Sequence, residues 1–251
     1  MKILVTNDDS INAPGLKVLI DCATGFGDVV AVAPAQPQSG KSSAISVGLP
    51  LRINRLDDYN GARMYSVEGT PVDCVKLALH TIMDQKPDLV LAGINHGSNS
   101  GNCVIYSGTM GAVLEGCMAG ITSVGFSLLH HSLAADFSLS QNFVTEIIDG
   151  VIKNIYPNSA ALNVNIPSKI VPSGIRVCRA ALGQWSEEYQ EYTDPFGRPF
   201  YMLSGKFVDN EPDATDTDEY WLKKGYITVV PVTPDMTQRQ SISALSPVFD
   251  K

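Results

Sequence analysis

Three things are scarce in this sequence. No apolar run approaches the roughly 18 to 20 residues needed to cross a bilayer, and the opening stretch MKILVTNDDS stops at two aspartates, without the longer apolar segment and small-residue cleavage site of a secretory signal. Neither membrane insertion nor export is expected. The five cysteines (Cys22, Cys74, Cys103, Cys117 and Cys178) are odd in number, scattered, and without a C-x-x-C pair. That argues against a disulfide framework and a thiolate zinc site, and it fits a reduced cytoplasm. Basic charge is also short, with 18 Lys and Arg against 26 Asp and Glu. A broad electrostatic face for a nucleic acid polymer is therefore not expected. Small anionic substrates stay open, because a bound cation and backbone N–H groups reverse the potential locally.

Apolar and β-branched runs at 2–6, 28–33, 88–92, 122–128 and 161–166 read as buried strands of a mostly parallel sheet. Helical periods lie between them. Leu16, Leu19, Ile20 and Ala23 share one face, as do Met110, Val113, Leu114 and Cys117, and then Val144, Ile147, Ile148 and Val151. In GTPVDCVKLALHTIM, Thr70 is placed as N-cap, Pro71 at the first helical position and Asp73 at the third, a variant capping box. This alternation predicts a doubly wound α/β fold: a Rossmann-like three-layer αβα sandwich with a mostly parallel sheet. Beyond about residue 175, IRVCRA, FYMLSG and YITVVPV read as further strands. A turn signal at Asp194-Pro195-Phe196-Gly197, with tyrosines on both flanks, predicts a long hairpin arm at 184–204. Such an arm is marginal alone and needs the domain or another subunit to pack on. The expected organisation is a single domain, with an α/β core over 1–174 and a hairpin, strands and tail over 175–251.

The stretch APAQPQSGKSS comes within one residue of a phosphate-cradling P-loop. Its context is wrong. A P-loop lysine stands at the start of a helix, whereas SAISVGLPLRIN after Ser42 favours extended structure and meets Gly48 and Pro50. Pro37 removes a donor from the loop.

Ligands of open parallel sheets sit outside the carboxyl ends of the strands. Three such ends here carry NDDS, PAQPQSGKSS and GINHGSNSGN. Asp8 and Asp9 are adjacent, so they meet one ion only where the chain leaves the strand; the alternative is that they simply turn the chain. Ser39 and Asn95 at equivalent ends favour the ion. Asp, Asn and Ser offer oxygen only, which suits one hard divalent cation per subunit, Mg²⁺ or Mn²⁺, with Zn²⁺ as second choice. His96 reads as a ligand, a proton donor or, more commonly for a lone histidine in a Gly-rich loop, a hydrogen-bonding surface residue. Ser107, Gly108 and Thr109 open the helix that carries Met110, so their N–H groups and hydroxyls form either an anion site or an ordinary cap. A metal site beside an anion site implies metal-assisted phosphoester chemistry.

The motifs KILVTNDD, APAQPQSG, GTPVDCVKLAL, GINHGSNSGNCVIYSGTMGAVLEG and, more loosely, TDTDEYWLKKGYITVVPVTPDMT run in order over residues 1–237 and resemble the SurE family of metal-dependent 5'-nucleotidases, the stationary-phase survival proteins. The resemblance implies a divalent metal on Asp8, Asp9, Ser39 and Asn95. It implies phosphate release from nucleoside 5'-monophosphates, often 3'-monophosphates, and in some members cleavage of polyphosphate ends. It further implies homodimers or homotetramers built through the C-terminal hairpin and the tail at 240–251. Two positions depart from the family pattern: Ser10 stands where a glycine is usual, and KSSA stands at 41–44 where many members carry Asn or His. Lys41 is thus either a phosphate contact or a solvated side chain.

The mechanism expected is hydrolysis with Asp8 and Asp9 fixing the ion, one of them as candidate acceptor for the proton of water, and with Asn99, Ser107 and Thr109 on the phosphoryl oxygens. Gly108 allows the close approach. Two alternatives stand beside it: a phospho-aspartyl phosphatase with Asp8 as nucleophile, and a non-catalytic nucleotide-binding regulatory module. The acidic run at 209–219 reads as a solvated loop before a helix capped by Asp216.

Overall fold

A computed structural model describes residues 1–130, 135–154, 160–168 and 170–250. In chain order its elements are β1 (Lys2–Thr6), α1 (Pro14–Ala23), β2 (Asp28–Pro34), β3 (Ile53–Arg55), β4 (Arg63–Val67), α2 (Pro71–Leu77), β5 (Leu89–His96), α3 (Gly108–Met118), β6 (Thr122–Leu128), α4 (Ser138–Lys153) and β7 (Ala161–Ile166). They continue with β8 (Ile175–Val177), β9 (Gly183–Ser186), β10 (Tyr189–Thr193), β11 (Pro199–Leu203), β12 (Lys206–Asp209), α5 (Asp218–Lys223), β13 (Ile227–Val232) and α6 (Arg239–Phe249). A single sheet runs β3-β4-β2-β1-β5-β6-β7-β13-β8. The run from β4 to β7 is parallel, while β3 and β13 are antiparallel to their neighbours β4 and β7. This is the α/β class expected from the pattern of strands and helices.

Alternation along the strands divides the core in two. Ile3, Val5, Val29 and Ala31 point to the layer formed by Leu16, Leu19 and Ile20 of α1 and Val144, Ile147 and Ile148 of α4. Leu4, Val30 and Val32 point to the opposite layer, with Cys74 and Val75 of α2 and Met110, Val113 and Cys117 of α3. Each Leu, Ile, Val or Met among them contributes roughly 1.5–3 kcal/mol by burial. Cutting fully buried Ile148 to Ala would cost about 2–5 kcal/mol, because its cavity would be only partly refilled.

Local starts follow the sequence closely. The Thr70 side chain accepts from Asp73 N at 3.1 Å, and Asp73 Oδ2 accepts from Thr70 N at 2.9 Å, closing the capping box of α2. Asp194 Oδ1 accepts from the N–H groups of Phe196 and Arg198, and Gly197 takes a φ of 78°, so the β10–β11 hairpin turns where Asp194-Pro195-Phe196-Gly197 predicts.

Three features differ from the sequence reading. The strand expected at 88–92 continues to His96, because a register shift between Ala92 and Asn95 lets it follow β6, pairing Asn95 with Ser127 and His96 with Leu128. Asp216 does not cap α5; its carboxylate pairs with Arg179 Nε at 2.9 Å, and Thr217 caps by accepting from Tyr220 N. The main sheet is not confined to the core expected over 1–174: β13, from the segment expected to hold the hairpin, strands and tail, inserts between β7 and β8. The β10–β11 hairpin is exposed along its whole length, and none of α6 is buried.

Candidate functional site at the carboxyl ends of the strands

β1 ends at Thr6 and delivers Asn7, Asp8 and Asp9 at the edge of the sheet. The following turn is tight: Ser10 adopts a φ of 95°, a conformation that glycine adopts freely, and Asn7 Nδ2 donates to Ser10 O at 2.8 Å. The chain therefore keeps the backbone path of a glycine while carrying a side chain. β2 delivers the 35–43 loop beside it, where Gln38 N donates to Asp8 O at 2.7 Å. No helix follows Ser42; its N–H donates to Tyr106 O and its hydroxyl to Ile105 O at 2.5 Å, so the loop lies against the start of α3. That removes the P-loop reading, and Lys41 is exposed.

Asp8 is 4% exposed and packs on the first turn of α3. Thr109 Oγ1 donates to its Oδ1 at 2.5 Å. A side chain at Gly108 would bring a Cβ within 2.9 Å of the Asp8 Cβ, so only glycine allows the carboxylate this close to the helix. Burial pushes the Asp8 carboxyl up to about 6 despite the Thr109 hydroxyl, and the neighbouring Asp9 charge adds to the rise, while backbone N–H groups offset part of it. Asp9 has a different partner. Its Oδ2 accepts from His96 N at 3.1 Å and lies 3.1 Å from His96 Nδ1. The His96 ring is buried against Phe137, with centroids 5.1 Å apart, so the surface reading of this histidine is wrong. Its Nε2 is buried and has no hydrogen-bond partner among the described residues.

A cavity of about 850 Å³ opens over this edge, and its lining includes Asp8, Ser39, Asn95, His96, Asn99 and Ser107. Asn95 Nδ2 is tied to Gly97 O at 3.0 Å, which leaves its oxygen as the atom available to a cation. Ser107 Oγ accepts from Met110 N at 3.0 Å and keeps its own proton to donate. Asn99 is held on three sides. Its N–H donates to Asn165 Oδ1 at 2.8 Å, its carbonyl accepts from Asn163 Nδ2 at 2.7 Å, and its Nδ2 donates to Ser127 Oγ at 2.8 Å, leaving one amide proton free. Six of the candidate site residues read from the sequence, His96 among them, thus line one cavity. Asp9 turns to His96, Gly108 packs behind Asp8, and Thr109 reaches the cavity only through Asp8.

The supporting residues were not foreseen. Asn163 and Asn165 are fully buried on one face of β7, where two asparagines at i, i+2 in an apolar strand signal a polar network, since buried amides need partners. Asp218, also fully buried, accepts from Gly101 N and Ala181 N, both at 2.8 Å, and Ser100 Oγ donates to Glu219 at 2.5 Å. Desolvation raises the Asp218 carboxyl above its ordinary value, against those backbone N–H donors. The acidic run that reads as solvated therefore sends two of its members inward to fix the 98–102 loop.

Among the described residues, no group of three or more His, Cys, Asp or Glu is placed to hold a metal. A cation at this edge needs the Ser39 and Asn95 oxygens beside the carboxylates. The set fits a hard divalent ion: it is all oxygen, and it includes a buried carboxyl held up in pKa by burial and by a like-charged neighbour, which a cation would relieve.

A doubly wound sheet with carboxylates, amides and a helix N-terminus gathered at its carboxyl edge defines an α/β protein with a candidate site for an anionic ligand there. The sequence profile of the survival protein SurE matches residues 3–187, and this chain belongs to the SurE family. It is 47% identical over 249 residues to the 5'-nucleotidase SurE of Christiangramia forsetii, covering 97% of this chain and 95% of the relative. It is 46% identical over 247 residues to that of Flavobacterium psychrophilum, covering 97% and 96%. The crystal structure of the SurE protein from Aquifex aeolicus superposes with a TM-score of 0.85 at 31% identity, covering 99% of each chain.

Proposed function

We propose that this chain is a 5'-nucleotidase, a phosphoric monoester hydrolase that splits nucleoside 5'-monophosphates into nucleoside and phosphate. The observation that carries the reading is the convergence of Asp8, Ser39, Asn95, Asn99 and Ser107 on one cavity, in a chain whose relatives at 46–47% identity bear that name. Nucleoside 3'-monophosphates and polyphosphate ends are further candidate substrates.

One divalent ion per subunit, Mg²⁺ or Mn²⁺ before Zn²⁺, would be held by Asp8, Asp9, Ser39 and Asn95 and would supply charge on a phosphoryl oxygen and a more acidic bound water. The protein does the rest. Thr109 orients Asp8, and the His96 N–H orients Asp9. The Ser107 hydroxyl, the Gly108 N–H at the start of α3 and the free amide proton of Asn99 receive the phosphoryl oxygens, aided by the helix dipole. One of the two aspartates is the candidate acceptor for the proton of the attacking water.

Residues 1–251 act as a single unit, with the catalytic core in 1–174. The exposed Tyr192, Phe196, Phe200 and Tyr201 of the hairpin and Ile242, Leu245, Val248 and Phe249 of α6 supply apolar surface for a homodimer or homotetramer. The tail reaches Lys251, which lies outside the described residues. No described helix is long and apolar enough to cross a membrane, in keeping with a cytoplasmic site of action.

The test is phosphate release from nucleoside 5'- and 3'-monophosphates with EDTA, Mg²⁺, Mn²⁺ or Zn²⁺, in wild type and Asp9→Asn. Metal-dependent release that the variant loses is the expected result. Tight nucleotide binding without release by folded protein would replace this reading with that of a regulatory binding module.

A further inference from the structure

Two hydrogen bonds reach the Asp9 side chain, and both fall on one oxygen. The His96 backbone N–H donates to Oδ2 at 3.1 Å, and Nδ1 of the same residue's ring also lies 3.1 Å from Oδ2. A carboxylate oxygen accepts, so the ring nitrogen facing it carries the hydrogen and donates. The other ring nitrogen agrees. Nε2 is buried with no partner among the described residues; a hydrogen there would be a stranded donor, whereas a bare lone pair is tolerated more readily. The hydrogen bonds from described residues leave Asp9 Oδ1 untouched.

The ring is held from several elements. The register shift between Ala92 and Asn95 sets His96 opposite Leu128, and Gly97 N donates to Leu128 O at 2.9 Å, which fixes the backbone. Phe137, itself buried, meets the imidazole at an interplanar angle of 88°. Phe137 is seated in turn at the start of α4: its carbonyl accepts from Ser140 N and Ser140 Oγ, at 3.0 and 2.6 Å. α1 closes in behind it, since a Cβ at Gly15 would stand 3.2 Å from the Phe137 Cζ. Only 6% of the His96 side chain is exposed. An apolar side chain would fill this place without burying a polar ring. What histidine adds is one donor, and that donor is directed at Asp9.

We propose that His96 is a positioning residue for the cation site: its ring Nδ1–H and its backbone N–H together hold Asp9 Oδ2, leaving Oδ1 as the Asp9 atom for a divalent ion. The proposal rests on the metal-dependent reading of this edge. The last torsion of an aspartate is broad and nearly two-fold, so a loosely held carboxylate offers either oxygen over a range of angles. Two donors on one oxygen remove that freedom before the ion arrives. Less is then lost on binding, and affinity rises.

Calorimetric titration of the full chain with Mn²⁺ reads this role without turnover, in wild type, His96→Asn, His96→Gln and His96→Phe, with circular dichroism to check folding. Asn sets an amide N–H near the place of Nδ1. Gln carries its amide further out, toward the place of Nε2, and Phe keeps a ring against Phe137 with no donor. The Phe and Gln variants are expected to bind Mn²⁺ about 10- to 100-fold more weakly, and the Asn variant close to wild type. Hydrolysis of AMP by the Phe variant should regain most of the wild-type kcat as Mn²⁺ is raised, with the KM for AMP little changed. If one of the two weak variants fails to fold, the other carries the test. Wild-type Mn²⁺ affinity in the folded Phe or Gln variant, or a loss in Asn as large as in Phe, overturns the role; so does wild type that binds no Mn²⁺. The two readings fail separately. His96-dependent Mn²⁺ binding by a protein that hydrolyses no monophosphate would sink the nucleotidase reading and leave the positioning role standing. AMP hydrolysis with the same Mn²⁺ requirement in every variant would do the reverse.

Discussion

The Thr109 hydroxyl donates to Asp8 Oδ1 at 2.5 Å across 101 residues of sequence, joining the end of β1 to the first turn of α3. Thr109→Val keeps the shape and removes the donor. A hydrogen bond to a charged group contributes roughly 1.5–3 kcal/mol, so phosphate release should fall about 10- to 100-fold. Losing a contact that favours the charged form should also move the acidic limb of the pH–rate profile to higher pH. Thr109→Ser should retain most activity, and a Val variant as active as wild type would remove Thr109 from the site.

Asp8 links stability to pH in protein stripped of metal by EDTA. Its folded pKa, about 6, lies above the ordinary 3.8, so the folded state holds the proton more tightly than the unfolded chain. The stability this brings is fully present below about pH 4 and is lost as pH rises through about 6, a change of roughly 3 kcal/mol. Asp8→Asn should therefore raise the thermal midpoint at pH 8 and change it little at pH 4. Equal effects at both pH values would contradict the burial argument.

Ser10 carries a φ of 95°, where a Cβ costs about 1–2 kcal/mol. Ser10→Gly relieves that strain but frees the unfolded chain, which offsets about 0.4–1 kcal/mol. A net gain of up to about 1 kcal/mol in urea unfolding is expected, with none for Ser10→Ala. Destabilisation by glycine would show that the serine side chain holds the turn.

Asp218 closes two buried N–H groups, at Gly101 and Ala181. Asp218→Ala leaves both unpaired and should cost about 2–5 kcal/mol in urea unfolding. The isosteric Asp218→Asn keeps an acceptor and should cost less. Where Asp218→Asn folds, KM for AMP should rise more than kcat falls, since the 98–102 loop carries Asn99. Unfolding curves and steady-state kinetics of the two variants check both statements.

Periodicity told most about the elements that build the core. Strands β6 and β7 and the capping box of α2 stand where alternation and capping residues put them, because two-sided burial and orphan N–H groups leave few other choices. The site was legible as a list of strand-end residues, but not as a geometry. Nothing local says that Asp9 turns toward His96 while Asp8 turns toward α3, since both outcomes depend on strands that meet only in the folded sheet. The inward role of Asp218 and Glu219 was hidden by their neighbours: DNEPDATDTDE reads as a solvated run, and only two of its acids find buried donors. The extension of β5 to His96 depends on a register shift against β6, which no pattern within one strand reveals.

The place of β13 has a consequence for the order in which the protein can form. During synthesis β7 leaves the ribosome with one edge bare, and its antiparallel partner arrives only after the whole hairpin segment has been made. Until then a largely buried strand presents unpaired N–H and C=O groups, a template for another chain. A truncation removing residues 227–251 would take more than α6 with it: it would leave the nascent-like open edge as the permanent state, and aggregation rather than a smaller folded chain is the expected product.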